Sequence, residues 1–153
     1  MTAELKTFLI AMSPLVELRG AIPIALGAYQ LPVWSAYLFA VLGNLVPLIL
    51  IILLLDPLSQ FLSQRSPLFN HIFSWLYRHT RVANQSKMEK LGKNLAIIIL
   101  VAIPIPFIGG WTGAMAASVF GTPLRRALPL VVTGCLIGGL IVTFFSQGIL
   151  LLV

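Results

Sequence analysis

Residues 14–23 read PLVELRGAIP, an acid, a base and two prolines set inside an apolar run that extends from Leu5 to Leu31. Proline interrupts helical hydrogen bonding, and a charge at bilayer depth costs on the order of 3 kcal/mol even on lenient insertion scales. An unbroken spanning helix has no use for either. The stretch therefore predicts a break in the segment, with Glu17 and Arg19 at the break.

The surrounding chain makes the membrane the right solvent to consider. Its 153 residues are 59% hydrophobic and 9% charged, with a mean hydropathy of +1.01. A soluble domain carries about a quarter charged residues. The run LFAVLGNLVPLILIILLL (38–55) approaches the roughly 20 apolar residues that cross a bilayer core. These numbers predict an integral membrane protein of a single domain, placed in the cell membrane. Six of the ten basic residues, Arg65, Arg78, Arg81, Lys87, Lys90 and Lys93, lie in one connector. The net charge of +6 thus reads as cytoplasmic retention of segment 56–93 with attraction to anionic membrane lipids, not as a nucleic-acid surface. Cys135 stands alone, which excludes an intrachain disulfide and a cysteine-rich metal site. It reads as a small buried hydrophobe, and no metal or cofactor is expected. No cleavable signal peptide is expected, because Pro14, Glu17 and Arg19 interrupt the first apolar run.

Five segments follow along the chain. Residues 4–31 are apolar with an interrupted centre, and 33–55 form the cleanest spanning helix. Residues 56–93 are polar and basic, 94–121 are apolar but interrupted by PIPFIGGWTG (104–113), and 124–152 form a second spanning helix. Within the connector, Ser66-Pro67 resembles a helix start. Phe69, Ile72, Phe73 and Leu76 then recur at helical spacing, with Trp75 and Tyr77 beside them. They predict a helix over 67–78 lying in the cytoplasmic interface. His71 and His79 fall on it as polar-face residues. The sequon Asn84-Gln85-Ser86 reads as chance.

A shift of 91 positions aligns the chain with itself: Pro32 meets Pro123, Ala36 meets Ala127, Gly43 meets Gly134 and Leu45 meets Leu136. The break at Glu17–Gly20 then falls on Ile108–Trp111. Two copies of an interrupted hairpin followed by a spanning helix are the form of a transporter repeat. The positive-inside rule keeps Arg125 and Arg126 in the cytoplasm only if 94–121 turns back without crossing. The expected architecture is all-α, with two inverted repeats (1–55 and 94–153), each a re-entrant hairpin plus a spanning helix. Each hairpin arm of about 10–14 residues is roughly 15–21 Å long, too short to span alone.

The hairpin tips are then the candidate site. Pro14, Gly20 and Pro23 in the first, and Pro104, Pro106, Gly109, Gly110 and Gly113 in the second, release backbone groups that bilayer depth tolerates only in protein or beside a wet cavity. Helix N-termini at the tips suit an anion. Glu17, Arg19, Asn44, Trp111 and Thr112 are the expected substrate-binding residues. The alternatives are an ion pair that only pins the hairpin, an interhelical hydrogen bond for Asn44, and close packing for Gly109-x-x-x-Gly113 and Gly134-x-x-x-Gly138.

The stretches SPLVELRGAIPIALG (13–27) and EKLGKNLAIIILVAIPIPFIGGWTGAMAA (89–117) resemble the small multidrug export protein family of bacterial and archaeal membrane proteins. That family is distantly similar to the DedA, or VTT-domain, superfamily, whose opposed re-entrant hairpins are thought to serve lipid movement. The resemblance puts one motif on Glu17, Leu18, Arg19, Gly20 and Pro23, and the other on Pro104, Pro106, Gly109, Trp111, Thr112 and Gly113. Phe107 and Ile108 depart from the family's usual P-G-T-G-A-W. It implies an exporter with its substrate near the midplane, or alternatively a lipid or polyprenyl-phosphate translocase; a membrane scaffold is the third reading. Proton or ion coupling and a homodimer complete the expectations. No H-E-x-x-H, G-x-S-x-G or paired intramembrane aspartates occur, so an enzyme is not expected.

Overall fold

The computed structural model describes residues 1–104 and 109–152. Pro106, assigned above to the second tip, lies outside them. Among the described residues seven helices follow in order: α1 (Ala3–Met12), α2 (Glu17–Gly27), α3 (Val33–Arg65), α4 (Pro67–Leu91), α5 (Lys93–Ala102), α6 (Gly110–Val119) and α7 (Leu124–Leu152). Among the described residues there is no strand. Among them two helices, α3 and α7, are long and apolar enough to cross a membrane.

The distribution of side chains fits that solvent. The interior is built from small residues: Ala11, Ala21, Ala25, Ala36, Ala40, Ala96, Ala114, Ala117 and Ala127 are all fully buried. Many large apolar side chains face out, with Trp34 71%, Phe144 77% and Leu151 83% exposed. In lipid, apolar burial drives little association, so helices gain by approaching closely at small residues. Gly43 allows α3 to lie against the Phe8 carbonyl of α1, where a Cβ would collide with that oxygen. Gly134 does the same between α7 and α5, where a Cβ would stand 2.8 Å from the Ile98 carbonyl oxygen and 2.7 Å from Val101 Cβ. Gly138 continues that seam, where a Cβ would stand 3.0 Å from the Ala102 carbonyl oxygen. Packing accounts for the 134–138 glycine pair.

The short helices form two back-folded pairs. Near the start of α1, the Lys6 ammonium lies over the Tyr29 ring just beyond α2, 5.5 Å from its centroid. At the start of α5, Lys93 Nζ donates to the Phe120 carbonyl at the end of α6, 3.2 Å away. Each lysine therefore closes the open end of its pair. Gln30, at φ 51°, closes α2 in the left-handed conformation, with Leu31 N–H donating back to Ala25 O at 3.0 Å. In both halves, the first short helix packs on the following long helix, α1 on α3 and α5 on α7. The second short helix also reaches the long helix of the other half, α2 on α7 and α6 on α3.

The connector departs from expectation at its start. α3 does not stop at residue 55 but runs through Pro57 to Arg65, about 50 Å in all. Proline there withholds a donor from the Leu53 carbonyl, and tertiary contacts hold the helix together. The Tyr77 hydroxyl of α4 donates to Asp56 Oδ1, tying the tail of α3 to the first half of α4. Burial, then this hydrogen bond, pushes the Tyr77 phenol above its ordinary range. The helix expected over 67–78 extends to Leu91. Pro67 occupies its first turn, but the Ser66 hydroxyl makes no capping bond; the Ser66 carbonyl accepts from Asn70 N–H instead. Thr80, Asn84 and Met88, one stripe of α4, are buried, whereas Leu68, Ile72, Trp75 and Val82 form an exposed stripe. Asn84 Nδ2 donates to the Thr80 carbonyl at 2.9 Å, so the sequon asparagine is a packing residue. His79 stacks on Trp75, ring centroids 5.2 Å apart. Gly92, at φ 78°, turns the chain from α4 into α5 where a side chain would be strained.

Candidate functional site

The break in the first segment falls at residues 13–16, and Glu17 opens α2 in the left-handed region at φ 52°. For a residue other than glycine this costs on the order of 1–3 kcal/mol and persists only where the surroundings enforce it. The surroundings here are visible. The Glu17 carboxylate lies against the backbone N–H groups of Gly110 and Trp111, the first residues of α6. An acid from the first tip thus caps the helix that leaves the second tip, where unsatisfied amides and the helix dipole favour a negative charge.

Arg19 completes the arrangement, with Nη2 3.2 Å from Glu17 Oε2. In a regular helix, side chains two positions apart do not face each other. The left-handed turn at Glu17 removes that restriction. Gly109 makes room for the pair: a Cβ there would collide with the Arg19 guanidinium and stand 2.9 Å from Glu17 Oε2. On the other side, a Cβ on Gly110 would stand 2.9 Å from Leu48 Cδ1 and 3.3 Å from Asn44 Nδ2. The start of α6 is therefore held between α2 and α3 with no space for a side chain on either glycine.

These residues enclose a cavity of about 150 Å³, lined by residues 14–17 and Arg19 from the first tip and by Gly109, Trp111 and Thr112 from the second. Glu17, Arg19, Trp111 and Thr112 are brought together, as are Pro14 and Gly109. Trp111 Nε1 is buried and has no hydrogen-bond partner among the described residues. Asn44 stands apart from the cavity lining. It is 1% exposed, and Nδ2 donates to Cys135 Sγ at 3.6 Å, joining α3 to α7. This is the interhelical role weighed for it above. Gly20 and Pro23 lie within α2, and Gly110 and Gly113 within α6, rather than in the breaks. Gly113 serves close packing, since a Cβ there would collide with Val101.

Leu15 and Val16 line the cavity and were not anticipated, because apolar residues in an apolar run carry no distinguishing signal. The capping of α6 by Glu17 was also not legible. It joins two groups far apart in sequence, and only the acid is visible as a side chain.

Two bilayer-length helices, small residues inside and a cavity between two interrupted segments fit a membrane protein. The chain belongs to the family described as "Putative small multi-drug export protein", which matches residues 17–141. The match begins at Glu17, just after the first break, and includes the second tip, all of α3 and α7 up to residue 141. No curated protein and no solved structure matches the chain.

Proposed function

We propose that the protein exports a small molecule across the cell membrane, and that the substrate binds near the midplane in the cavity between the two tips. The single observation that carries this reading is the cavity itself: one space walled by both interrupted segments and containing the Glu17–Arg19 pair. Charged groups at membrane depth are retained where they serve a pathway or a substrate.

In this reading the two helix pairs are re-entrant hairpins of opposite orientation. The support is geometrical. The first pair opens beside the start of α3, since Tyr29 and Leu31 lead into Val33. The second pair opens beside α4, where Arg81 lies over Phe120, 5.9 Å from its centroid. α4 is in turn bound to the far end of α3 through Tyr77 and Asp56. The two open ends thus lie toward opposite ends of one long helix, with the closed ends meeting between them. Segment 56–93 faces the cytoplasm by its charge. Glu17 is the group for proton or ion coupling.

The test is accumulation in cells of a probe panel: ethidium, an organic anion dye and a fluorescent long-chain alkyl phosphate. Expression of the protein lowers accumulation of at least one probe, and the Glu17→Gln/Arg19→Met double variant, expressed and folded to the same level, loses the effect. Equal accumulation of every probe with and without the protein would overturn the proposal.

A further inference from the structure

The first turns of α1 and α3 leave a groove of about 480 Å³ between them, lined by Thr2, Glu4, Leu5, Phe8, Ser35 and Phe39. The spacing explains this lining. Glu4 and Phe8 are four residues apart on α1, and Ser35 and Phe39 four apart on α3, so each pair shares one helix face. Pockets for small molecules start at about 300 Å³, and this groove is larger. Two aromatic rings and one carboxylate line it.

The carboxylate is uncommitted. Of the chain's four acids, Glu17 meets Arg19, Asp56 meets Tyr77 and Glu89 meets Gln85. No hydrogen bond or ion pair engages Glu4 among the described residues. The start of α1 is capped by Thr2 instead, whose hydroxyl accepts from Leu5 N–H at 3.4 Å. Lys6, two positions on and so on another face, lies over Tyr29. The positions ninety-one further along hold Leu95, Ile99, Arg126 and Leu130 in place of Glu4, Phe8, Ser35 and Phe39. There too a short helix packs on a long one, α5 on α7, without the acid and without either ring. Packing therefore does not call for them.

From this juxtaposition we infer that the α1–α3 groove binds a monovalent organic cation with an aromatic or apolar body, at a site separate from the tip cavity. Charge complementarity selects the ligand. Glu4 supplies the opposite charge, and the faces of the Phe8 and Phe39 rings attract a cation through their quadrupoles. The apolar walls lower the local dielectric, which strengthens the pull of the carboxylate. No basic side chain lines the groove among the described residues, so an anion of the same shape meets only repulsion. The basic connector lies at the other end of α3, beyond Arg65, and this end is where a cation is least opposed. In the orientation proposed above, the groove faces away from the cytoplasm and is reached from the outer side of the membrane. The site stands whether or not the tip cavity holds the substrate.

The experiment uses the full chain in an uncharged maltoside detergent, with radiolabelled tetraphenylphosphonium as the probe and saturable, displaceable binding as the readout. Binding is expected. Labelled tetraphenylborate, the same shape with the opposite charge and measured separately, should show none. Tetramethylammonium, a charge without the apolar body, should compete at least tenfold more weakly than unlabelled probe. Glu4→Gln should weaken binding at least tenfold. Phe8→Ile/Phe39→Leu, which installs the residues found ninety-one positions on, should weaken it at least fivefold, and Phe39→Leu alone is read if that pair does not fold. Glu17→Gln/Arg19→Met should bind the probe as the parent does. Absence of saturable binding, undiminished binding in Glu4→Gln, or saturable binding of tetraphenylborate would each overturn the inference. Displacement by dihexanoylphosphatidylcholine as readily as by unlabelled probe would assign the groove to a lipid head group and overturn it too. If the tip double variant loses binding while Glu4→Gln retains it, the cation sits in the tip cavity; this inference then falls and the proposed function stands.

Discussion

Asn44 and Cys135 lie ninety-one positions apart in the chain and touch, the amide nitrogen 3.6 Å from the sulfur. Ninety-one is also the offset that brings Gly43 onto Gly134 and Pro32 onto Pro123. If the chain is built as the proposed repeat, residues that correspond and also contact each other lie at the axis relating the two copies. The exchange Asn44→Cys with Cys135→Asn should preserve this contact, since each position then holds what its counterpart held. Thermal unfolding should place the exchanged protein within about 1 kcal/mol of the parent. Asn44→Ala alone should lose about 1–3 kcal/mol by removing a buried partner. An exchange no better than the single substitution would argue against the axis.

Glu17 and Arg19 should be strongly coupled in stability. Removing one leaves the other's charge in a low-dielectric site and is expected to cost about 3–5 kcal/mol. The near-isosteric pair Glu17→Gln with Arg19→Met should recover much of that loss. The cycle is measured twice, by unfolding in detergent and by transport or probe binding. Stability recovered without activity is the expected outcome. Recovery of both would leave the pair a structural pin.

Gly109→Ala adds one methyl group where the Arg19 guanidinium stands. Overpacking of this kind costs about 1–3 kcal/mol. The same substitution on an Arg19→Met background should cost far less, because the clashing group has gone. Equal losses on both backgrounds, read by thermal unfolding, would place the strain elsewhere.

The orientation of the hairpins can be read with single cysteines on a Cys135→Ser background. Cysteines at Ala3 and Gln30, at the open end of the first pair, should both react with an impermeant maleimide on intact cells. Cysteines at Gln85 and Arg125 should react only after permeabilisation. Opposite results at Ala3 and Gln30 would mean that the first segment spans.

Tyr77 provides a pH test outside the spanning segments. Its phenol is raised by burial and by the hydrogen bond to Asp56, so the folded state favours the protonated form. The contribution is present below the unfolded value of about 10 and is lost as pH rises through the higher folded value. Tyr77→Phe should lower stability by about 1–2 kcal/mol at neutral pH and flatten the decline above pH 10. An unchanged alkaline limb in Tyr77→Phe would show that another group is responsible.

The legible part of this protein is the part in which one residue type stands out against a uniform background. Two long apolar runs gave the positions of α3 and α7, and the charges and prolines at 14–23 marked the first tip. The glycine pair 134–138 announced close packing. What could not be read depends on contacts between distant segments. α3 continues past residue 55 because Asp56 finds Tyr77, and nothing near Pro57 foretells that. The left-handed turn at Glu17 is enforced by α6, so Glu17 and Arg19 open α2 just after a break at residues 13–16. The groove beside Glu4 exists only once α1 and α3 lie together.

The cap that Glu17 provides for α6 also bears on the order of assembly. Chains emerge from the ribosome N-terminus first and begin folding in that order. When Gly110 and Trp111 are synthesised, the acid that satisfies their amides is already in the membrane on the first helix pair. The second tip is thus completed on a template made earlier in the same chain. Expressed as two polypeptides, residues 1–91 and 92–153 should assemble. The second piece alone, lacking its anion, should be the one that the cell degrades.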